Sequence, residues 1–422
     1  MLIEFSISNF RSFREKQTFS MVAAPRLHKR ENLYKPKVKG EKIPDLLKVA
    51  AIYGPNASGK SNLIKALEIV GKIASRQPSN KINPLPVAPF RFDPLLADQP
   101  TRVQVHFISK EQRYEFELAA TPERIVEERL VAFPNGKETL LYERRHLSSG
   151  DVYTLGEQLE GEQALHDVWK KLTGSQVLFI AQAVANSSED LKQLKAPFEW
   201  LTMGTQIVHD DMRPWARDVQ NIAIKYPHFV SDIPLFLQEI DVPIIKIELE
   251  PNIDSDISIE TENDEVEVLS PEDSNANTKT ILTHKTALGE ASFGFDEESG
   301  GTKNLIGFWL PWRTTMINNE KYGSRTLVVD ELDSSLHPEI VAALVKKHIQ
   351  CSTHSQLIFT THDTHLMDTK LLRRDQFWLT ERDTNGATRL RSIHDFEGRQ
   401  SEDLEKRYYE GRYRSLPILH KG

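Results

Sequence analysis

Gly54-Pro55-Asn56-Ala57-Ser58-Gly59-Lys60-Ser61 follows an apolar stretch, Leu46 to Tyr53, and precedes a helix-like one, Asn62-Leu63-Ile64-Lys65-Ala66-Leu67. Strand, glycine-rich loop and helix in that order are the setting of a phosphate-binding loop. The glycines let backbone N–H groups close around a polyphosphate, and the positive end of the following helix favours its charge. Lys60 is placed to reach the terminal phosphates and Ser61 to hold Mg²⁺, with Asn56, Ala57, Ser58, Gly59 and Asn62 completing the cradle. A glycine-rich turn with a solvated lysine is the plainer alternative, and it leaves the flanking strand and helix unexplained.

The chain has 422 residues, 39% of them hydrophobic, enough for a full core; the length suggests two or three domains, or one large domain with an insertion. Met1-Leu2-Ile3-Glu4-Phe5 lacks the basic-then-apolar pattern of a secretory signal. No apolar run approaches the ~20 residues that cross a bilayer, so a cytoplasmic protein without a membrane partner is expected. The single Cys351 excludes an internal disulfide and reads as an ordinary thiol. A formal charge of −8 argues against bulk electrostatic coating of nucleic acid. Nine acidic residues and no Lys or Arg fall between Pro251 and Asn277, so the rest of the chain sums to +1 and a localised basic surface stays open.

Alternation over Leu2 to Ile7 predicts a strand, and Asn9-Phe10-Arg11-Ser12-Phe13 the turn after it. The proline-rich stretch from Pro84 to Pro100 marks a boundary. Beyond it, Arg102 to Phe107, Arg113 to Leu118 and Ile125 to Phe133 predict an antiparallel meander. Between Leu159 and Leu237 the spacing turns helical, as in Leu165, Val168, Trp169 and Leu172, and in the run from Trp215 to Ile222. The expected organisation is an N-terminal lobe with the phosphate loop (1–83), an antiparallel β-subdomain (84–158), a helical insertion (159–250), an acidic solvated linker (251–277) and a C-terminal lobe (278–422).

The C-terminal lobe holds the rest of the expected site. Thr326-Leu327-Val328-Val329 reads as a buried strand ending in Asp330 and Glu331, and ligands of open α/β sheets bind at such carboxyl ends. Asp330 would orient a Mg²⁺-bound water and Glu331 polarise the water that attacks a γ-phosphate. Upstream, Ser299-Gly300-Gly301-Thr302 opens a helical run and offers bare N–H groups as a second phosphate-binding device. Gln356 to Thr360 is a further buried strand, after which His362 falls within reach of the attacking water. His354, His362 and His365 cluster in sequence but do not read as a metal site: His362 has a role by position, and Asp363-Thr364-His365 reads as a helix start with Asp363 or Thr364 as cap; His209-Asp210-Asp211 reads as a solvated turn.

With these motifs in place the chain resembles an ABC-type ATPase head of the SMC/RecF/OLD branch, an α/β fold with a mixed or parallel P-loop sheet, an antiparallel β-subdomain and an inserted helical subdomain. Gly54 to Ser61 corresponds to its Walker A loop, Ser299 to Thr302 to its signature motif, and Leu327 to Glu331 to its Walker B strand. Ser334-Ser335-Leu336-His337 takes the D-loop position. The resemblance further implies that Arg11 and Ser12 line the nucleotide pocket, that Gln182 is the Q-loop ligand of the metal and water, and that His362 is the switch histidine. More closely, Phe-Arg-Ser-Phe, Asp-Glu-Leu-Asp-Ser-Ser-Leu-His-Pro and the tail Tyr408 to Tyr413 resemble the bacterial RloA-like AAA-family ATPases, over nearly the whole chain.

That resemblance implies ATP and Mg²⁺ as cofactors, and a homodimer or higher oligomer in which each ATP lies between the P-loop of one subunit and Ser299 and Gly301 of the other. It also implies a place in restriction or phage defence. OLD-type proteins carry a TOPRIM nuclease after the ATPase, whereas about forty residues follow Leu379 here, so the expected effector is a separate nuclease such as a TOPRIM or RloB-like protein. Nucleic acid stays open as a partner. The second reading is a DNA-repair or chromosome-maintenance ATPase of the SMC/RecF type; sustained heptads for coiled-coil arms are absent.

Overall fold

The computed structural model describes residues 1–77, 83–188, 190–212, 215, 216, 219, 228–251, 278–316, 325–334, 336–351, 353–398 and 402–413. Most of the expected acidic linker, Ser335 of the D-loop position and much of the run from Trp215 to Ile222 lie outside them.

Among the described residues eighteen strands form four sheets. In chain order they are β1 (Leu2–Ser8), β2 (Gln17–Ser20), β3 (Leu33–Tyr34), β4 (Leu46–Leu47), β5 (Val49–Tyr53), β6 (Thr101–Ser109), β7 (Gln112–Ala120), β8 (Ile125–Ala132), β9 (Thr139–Leu147), β10 (Gly150–Leu155), β11 (Thr205–Val208), β12 (Ile244–Pro251), β13 (Thr278–Thr286), β14 (Gly289–Gly294), β15 (Thr326–Val329), β16 (Gln356–Thr360), β17 (Phe377–Arg382) and β18 (Thr388–Ser392). The described helices before residue 204 are α1 (Lys60–Ala74), α2 (Gln163–Leu172), α3 (Phe179–Ala185) and α4 (Lys195–Met203).

The chain falls into two compact units. The first comprises residues 1–207, 315–333 and 345–422. Its central sheet runs β11-β15-β16-β5-β17-β18, and β15, β16, β5 and β17 are parallel to one another. Every residue of β5, β15 and β16 is buried, as continuous apolar strands covered on both faces must be. Register aligns Val329 with Phe359, Thr360 with Ile52, and Leu379 with Tyr53, so the carboxyl ends of four strands share one edge.

The second sheet of this unit is antiparallel, in the order β10-β9-β8-β7-β6-β1-β2. Its alternation is what the sequence predicts: Val103, Val105 and Phe107 turn inward while Arg102 stays exposed. Leu63, Ile64, Leu67 and Val70 give α1 an apolar face, and one cluster joins that face to Phe5, Val105 and Phe116 of the antiparallel sheet and to Ile52, Val328 and Ile358 of the parallel one. Each such side chain contributes about 1.5–3 kcal/mol when fully buried, so the two sheets and α1 share a single core.

The second unit comprises residues 208–314 and 334–344. It holds the three-stranded sheet β12-β13-β14, the helix His228–Glu239 and most of the helix Gly300–Met316. Gly307 lets that last helix touch backbone: a Cβ there would lie 2.1 Å from the Met212 carbonyl oxygen. Phe236 and Phe308 pack around Trp312. Among the described residues no helix is long and apolar enough to cross a membrane.

Candidate nucleotide site

The loop from Gly54 to Gly59 leaves the carboxyl end of β5 and enters α1 directly at Lys60. Gly59 sits at φ +109 as the residue before the helix, with no side chain capping the first turn and no acidic residue in it. The N–H groups of that turn therefore keep their donor capacity for an anion. Lys60 is buried, and its Nζ donates to the carbonyls of Gly54 at 2.8 Å and Pro55 at 3.3 Å. Burial pushes its pKa down, opposed by Glu331, Asp330 and Asp333 in that order, which places the ammonium in the field of the three carboxylates.

Those carboxylates follow β15. Thr360, the last residue of β16, donates its hydroxyl to Asp330 Oδ1 at 2.6 Å and accepts the Glu331 N–H at 2.7 Å, so one side chain aims both neighbours. Glu331 adopts φ +53, a left-handed conformation that costs a non-glycine residue about 1–3 kcal/mol and is held by its surroundings. Its Oε1 lies 3.8 Å from His362 Nε2, and both side chains remain accessible to solvent. The His362 N–H is fixed in turn by Asp333 Oδ2 at 3.1 Å. An acid–base pair facing open space beside an anion-binding helix start can hold a phosphorylated ligand and move a proton next to it.

The turn at Asn9 to Phe13 divides its labour. Phe10 and Phe13 are fully buried and close on each other through paired backbone bonds. Asn9 holds the proline-rich stretch, donating to Leu96 and Gln99 carbonyls and accepting from the Phe90 N–H. That leaves Arg11 exposed and Ser12 against the phosphate loop, where Asn62 Nδ2 donates to Ser12 Oγ at 2.8 Å.

Three threonines that sequence reasoning missed hold this edge together. Besides Thr360, Thr380 on β17 lies 2.5 Å from Ser58 Oγ, and Thr388 on β18 lies 2.7 Å from both the Ser58 carbonyl and Ser12 Oγ. The glycines fit these hydroxyls: a Cβ on Gly54 would come within 2.2 Å of Thr380 Oγ1, and one on Gly59 within 2.1 Å of Thr388 Oγ1. No local pattern marks Thr380 or Thr388, since their partners are more than 300 residues away in the chain.

Gln182 lies on α3 and is buried; among the described residues its amide makes no hydrogen bond to the phosphate loop, Asp330 or His362. What fixes α3 is Glu128, a fully buried carboxylate that accepts the N–H groups of Phe179 at 2.8 Å and Ile180 at 3.2 Å and the Tyr142 hydroxyl at 2.6 Å. Burial pushes the Glu128 carboxyl up, against the pull of Arg144 and these hydrogen bonds. Arg144 in turn donates to Asp151 and to the Val177 carbonyl just before α3.

Ser299, Gly300 and Gly301 belong to the second unit. Ser299 caps the helix Gly300–Met316, accepting the Thr302 N–H at 3.1 Å, and a Cβ on Gly300 would meet nothing within 4 Å. Among the described residues no group of three His, Cys, Asp or Glu side chains forms a metal cluster, and Asp363 caps the short turn that holds His365. In the tail, Tyr408 and Tyr413 are buried while Tyr409 is exposed.

Residues 49–151 and 217–368, more than half of the chain, match the family model AAA_21, described as "AAA domain, putative AbiEii toxin, Type IV TA system". No curated protein matches. Among solved structures, the SMC head domain from Thermotoga maritima is similar at 16% identity and a TM-score of 0.39, over 93% of this chain and 98% of that one. An SMC head bound to the C-terminal winged-helix domain of ScpA is similar at 15% identity and a TM-score of 0.41, over 93% and 97%. The Pyrococcus furiosus SMC head with an extended coiled coil, bound to the C-terminal domain of ScpA, is similar at 12% identity and a TM-score of 0.39, over 98% of both chains.

Proposed function

We propose that this chain, which belongs to the AAA_21 family, binds and hydrolyses ATP and uses the cycle to regulate or power a partner effector. The observation that carries the reading is the convergence at one sheet edge of Lys60, Asp330, Glu331 and His362, with Glu331 Oε1 3.8 Å from His362 Nε2. Lys60 and the first-turn N–H groups of α1 bind the phosphates, and Arg11, Ser12 and Asn62 line the pocket beside them. Asn56, Ala57 and Ser58 wrap the same phosphates through the loop backbone. The donor set suits Mg²⁺: Ser61 carries a hydroxyl in the first turn of α1, and Asp330 is a carboxylate already oriented by Thr360. Ser61, Asp330 and Gln182 would hold that ion, whose charge would offset the charge developing on the phosphates.

Glu331 takes the proton of the attacking water, and His362 stabilises the γ-phosphate side of the displacement. Ser299, Gly300 and Gly301 of a second copy close the pocket, so ATP joins two subunits and hydrolysis releases them. The effector is a separate protein, a nuclease of the TOPRIM or RloB-like kind, and the setting is bacterial defence against phage in the cytoplasm. The family's description, naming a toxin and a Type IV TA system, supports that setting.

The test is Glu331→Gln. It should keep ATP affinity, lose at least about 100-fold in turnover, and accumulate an ATP-dependent dimer by light scattering. Wild-type turnover in that variant would remove Glu331 from the role of base. Lys60→Ala should lose nucleotide binding. Mixing it with Ser299→Arg chains should restore part of the activity through mixed dimers, and mixed dimers without recovery would contradict the shared site.

A further inference from the structure

Residues 26–42, between β2 and β4, carry seven Lys or Arg against two carboxylates, Glu31 and Glu41, a local charge of +5 in a chain of formal charge −8. Glu41 is already engaged by Arg113, whose Nη2 lies 2.7 Å from it. Packing decides where the cations point. Tyr34, Val38 and Ile43 lie on a small apolar cluster of Met1, Ile3, Leu46 and Ile108. Lys35, Lys37 and Lys39 alternate in sequence with Tyr34, Pro36 and Val38, and all three lysines are exposed.

Gly40, at φ +67, turns the ribbon, and the bridge from Val38 to Glu41 brings the exposed Lys42 back opposite Lys37. Among the described residues none of these four lysines makes an ion pair. They line an open hollow of about 300 Å³ whose carboxylates, among the described residues, are Glu41 and Glu111. Lys35 and Lys37 are two residues apart on either side of Pro36, a separation of at most about 6.6 Å along the backbone and the scale of successive phosphates along a nucleic-acid strand. Like charges set so closely destabilise a ribbon unless a polyanion relieves them. The ribbon is also anchored: β3 pairs with β4, and β4 leads into the amino end of β5, whereas the phosphate loop leaves the carboxyl end of the same strand.

We propose that the ribbon from Leu33 to Leu47 is a nucleic-acid interface in which Lys35, Lys37, Lys39 and Lys42 contact the phosphodiester backbone without reading base sequence. The inward turn of Tyr34, Val38 and Ile43 leaves no apolar tip for a membrane, which disfavours a lipid surface. This surface is independent of the ATPase reading, since it uses none of the residues placed at the nucleotide edge.

The experiment is fluorescence anisotropy of the full chain with a labelled duplex and a labelled single strand of mixed sequence, titrated over a series of salt concentrations. Lys35→Glu/Lys37→Glu/Lys39→Glu/Lys42→Glu should lower affinity at low salt at least about tenfold and reduce the slope of log K against log salt by about 3–4 for duplex or about 3 for a single strand. Its melting temperature and its ATP turnover without nucleic acid should match the wild type. A charge-neutral version with four glutamines, which removes the same four cation–phosphate contacts and should show a similar loss of slope, guards against a folding defect. Equal slopes in variant and wild type would overturn the proposal. So would wild-type binding to vesicles containing phosphatidylserine, or to a polyglutamate peptide, with no binding to either nucleic acid. Lys60→Ala should retain the nucleic-acid affinity, so failure here and failure of the ATPase reading are separately visible.

Discussion

The two glycine-rich helix starts, at Gly59 and at Ser299, offer the same backbone chemistry but are built in opposite ways. The loop before α1 is held from outside: Thr380 and Thr388 reach Ser58 from strands more than 300 residues later, and Ser12 reaches Asn62 from the N-terminal turn. The turn at Ser299 is held by its own neighbours, with Ser299 bonding Thr302 and Gly300 facing open space. A loop fixed by distant strands is shaped when the core forms. Among the described residues the turn at Ser299 is tied only within its own unit, by its cap to Thr302 and by Glu298 to His284 at 2.6 Å, and can meet a partner without disturbing the core of the other unit. Under the proposed function, the first start binds the nucleotide and the second is presented to it by another subunit.

Gly59→Ala should break this contrast most strongly. It adds a Cβ at φ +109 and 2.1 Å from Thr388 Oγ1, so either the loop or β18 must shift. Backbone strain of about 1–3 kcal/mol together with the clash predicts a loss of about 100-fold in ATP affinity, measured by calorimetry. Gly300→Ala, by contrast, has free space and should leave the affinity of the monomer unchanged. If the two substitutions had equal effects on that affinity, external bracing would not be what distinguishes the two turns.

Thr388→Val is the next test. It keeps the shape of the side chain and removes the hydroxyl that lies 2.7 Å from the Ser58 carbonyl and from Ser12 Oγ. Buried polar groups left without a partner cost about 1–3 kcal/mol, which predicts roughly a tenfold rise in KM for ATP with little change in kcat. Thr388→Ser should restore most of the affinity. A variant with a lowered melting temperature but unchanged KM would reduce Thr388 to a purely structural residue.

The same contrast explains what the sequence disclosed. Gly54 to Ser61, Thr326 to Glu331 and Gln356 to His362 are contiguous, each joining a buried apolar run to a polar end, and one parallel register brings them together. The antiparallel meander was equally legible from its period of two. The threonine braces were not, because a threonine in a strand is ordinary and its partner is chosen by the fold. Glu128 was partly legible: adjacent Glu127 and Glu128 in an alternating strand cannot both face water, and Glu128 is the one that turns in to cap α3. Gln182 rested on resemblance alone, and its helix is set by that buried carboxylate rather than by the phosphate loop.

Ser299→Ala should have the smallest direct effect and the most specific one. Removing an N-cap hydroxyl costs about 1 kcal/mol, so thermal unfolding of the second unit should shift slightly, and Ser299→Thr should reverse the shift. ATP affinity measured under conditions that keep the chain monomeric should not move, because every residue assigned to first contact with the phosphates lies in the other unit. Turnover should fall about tenfold when the protein is concentrated enough to dimerise, and the loss should vanish when the rate is compared at a dilution where both proteins are monomers. A loss of turnover that was independent of protein concentration would mean that Ser299 acts within its own chain, and the self-capped turn would then need a partner on the same molecule.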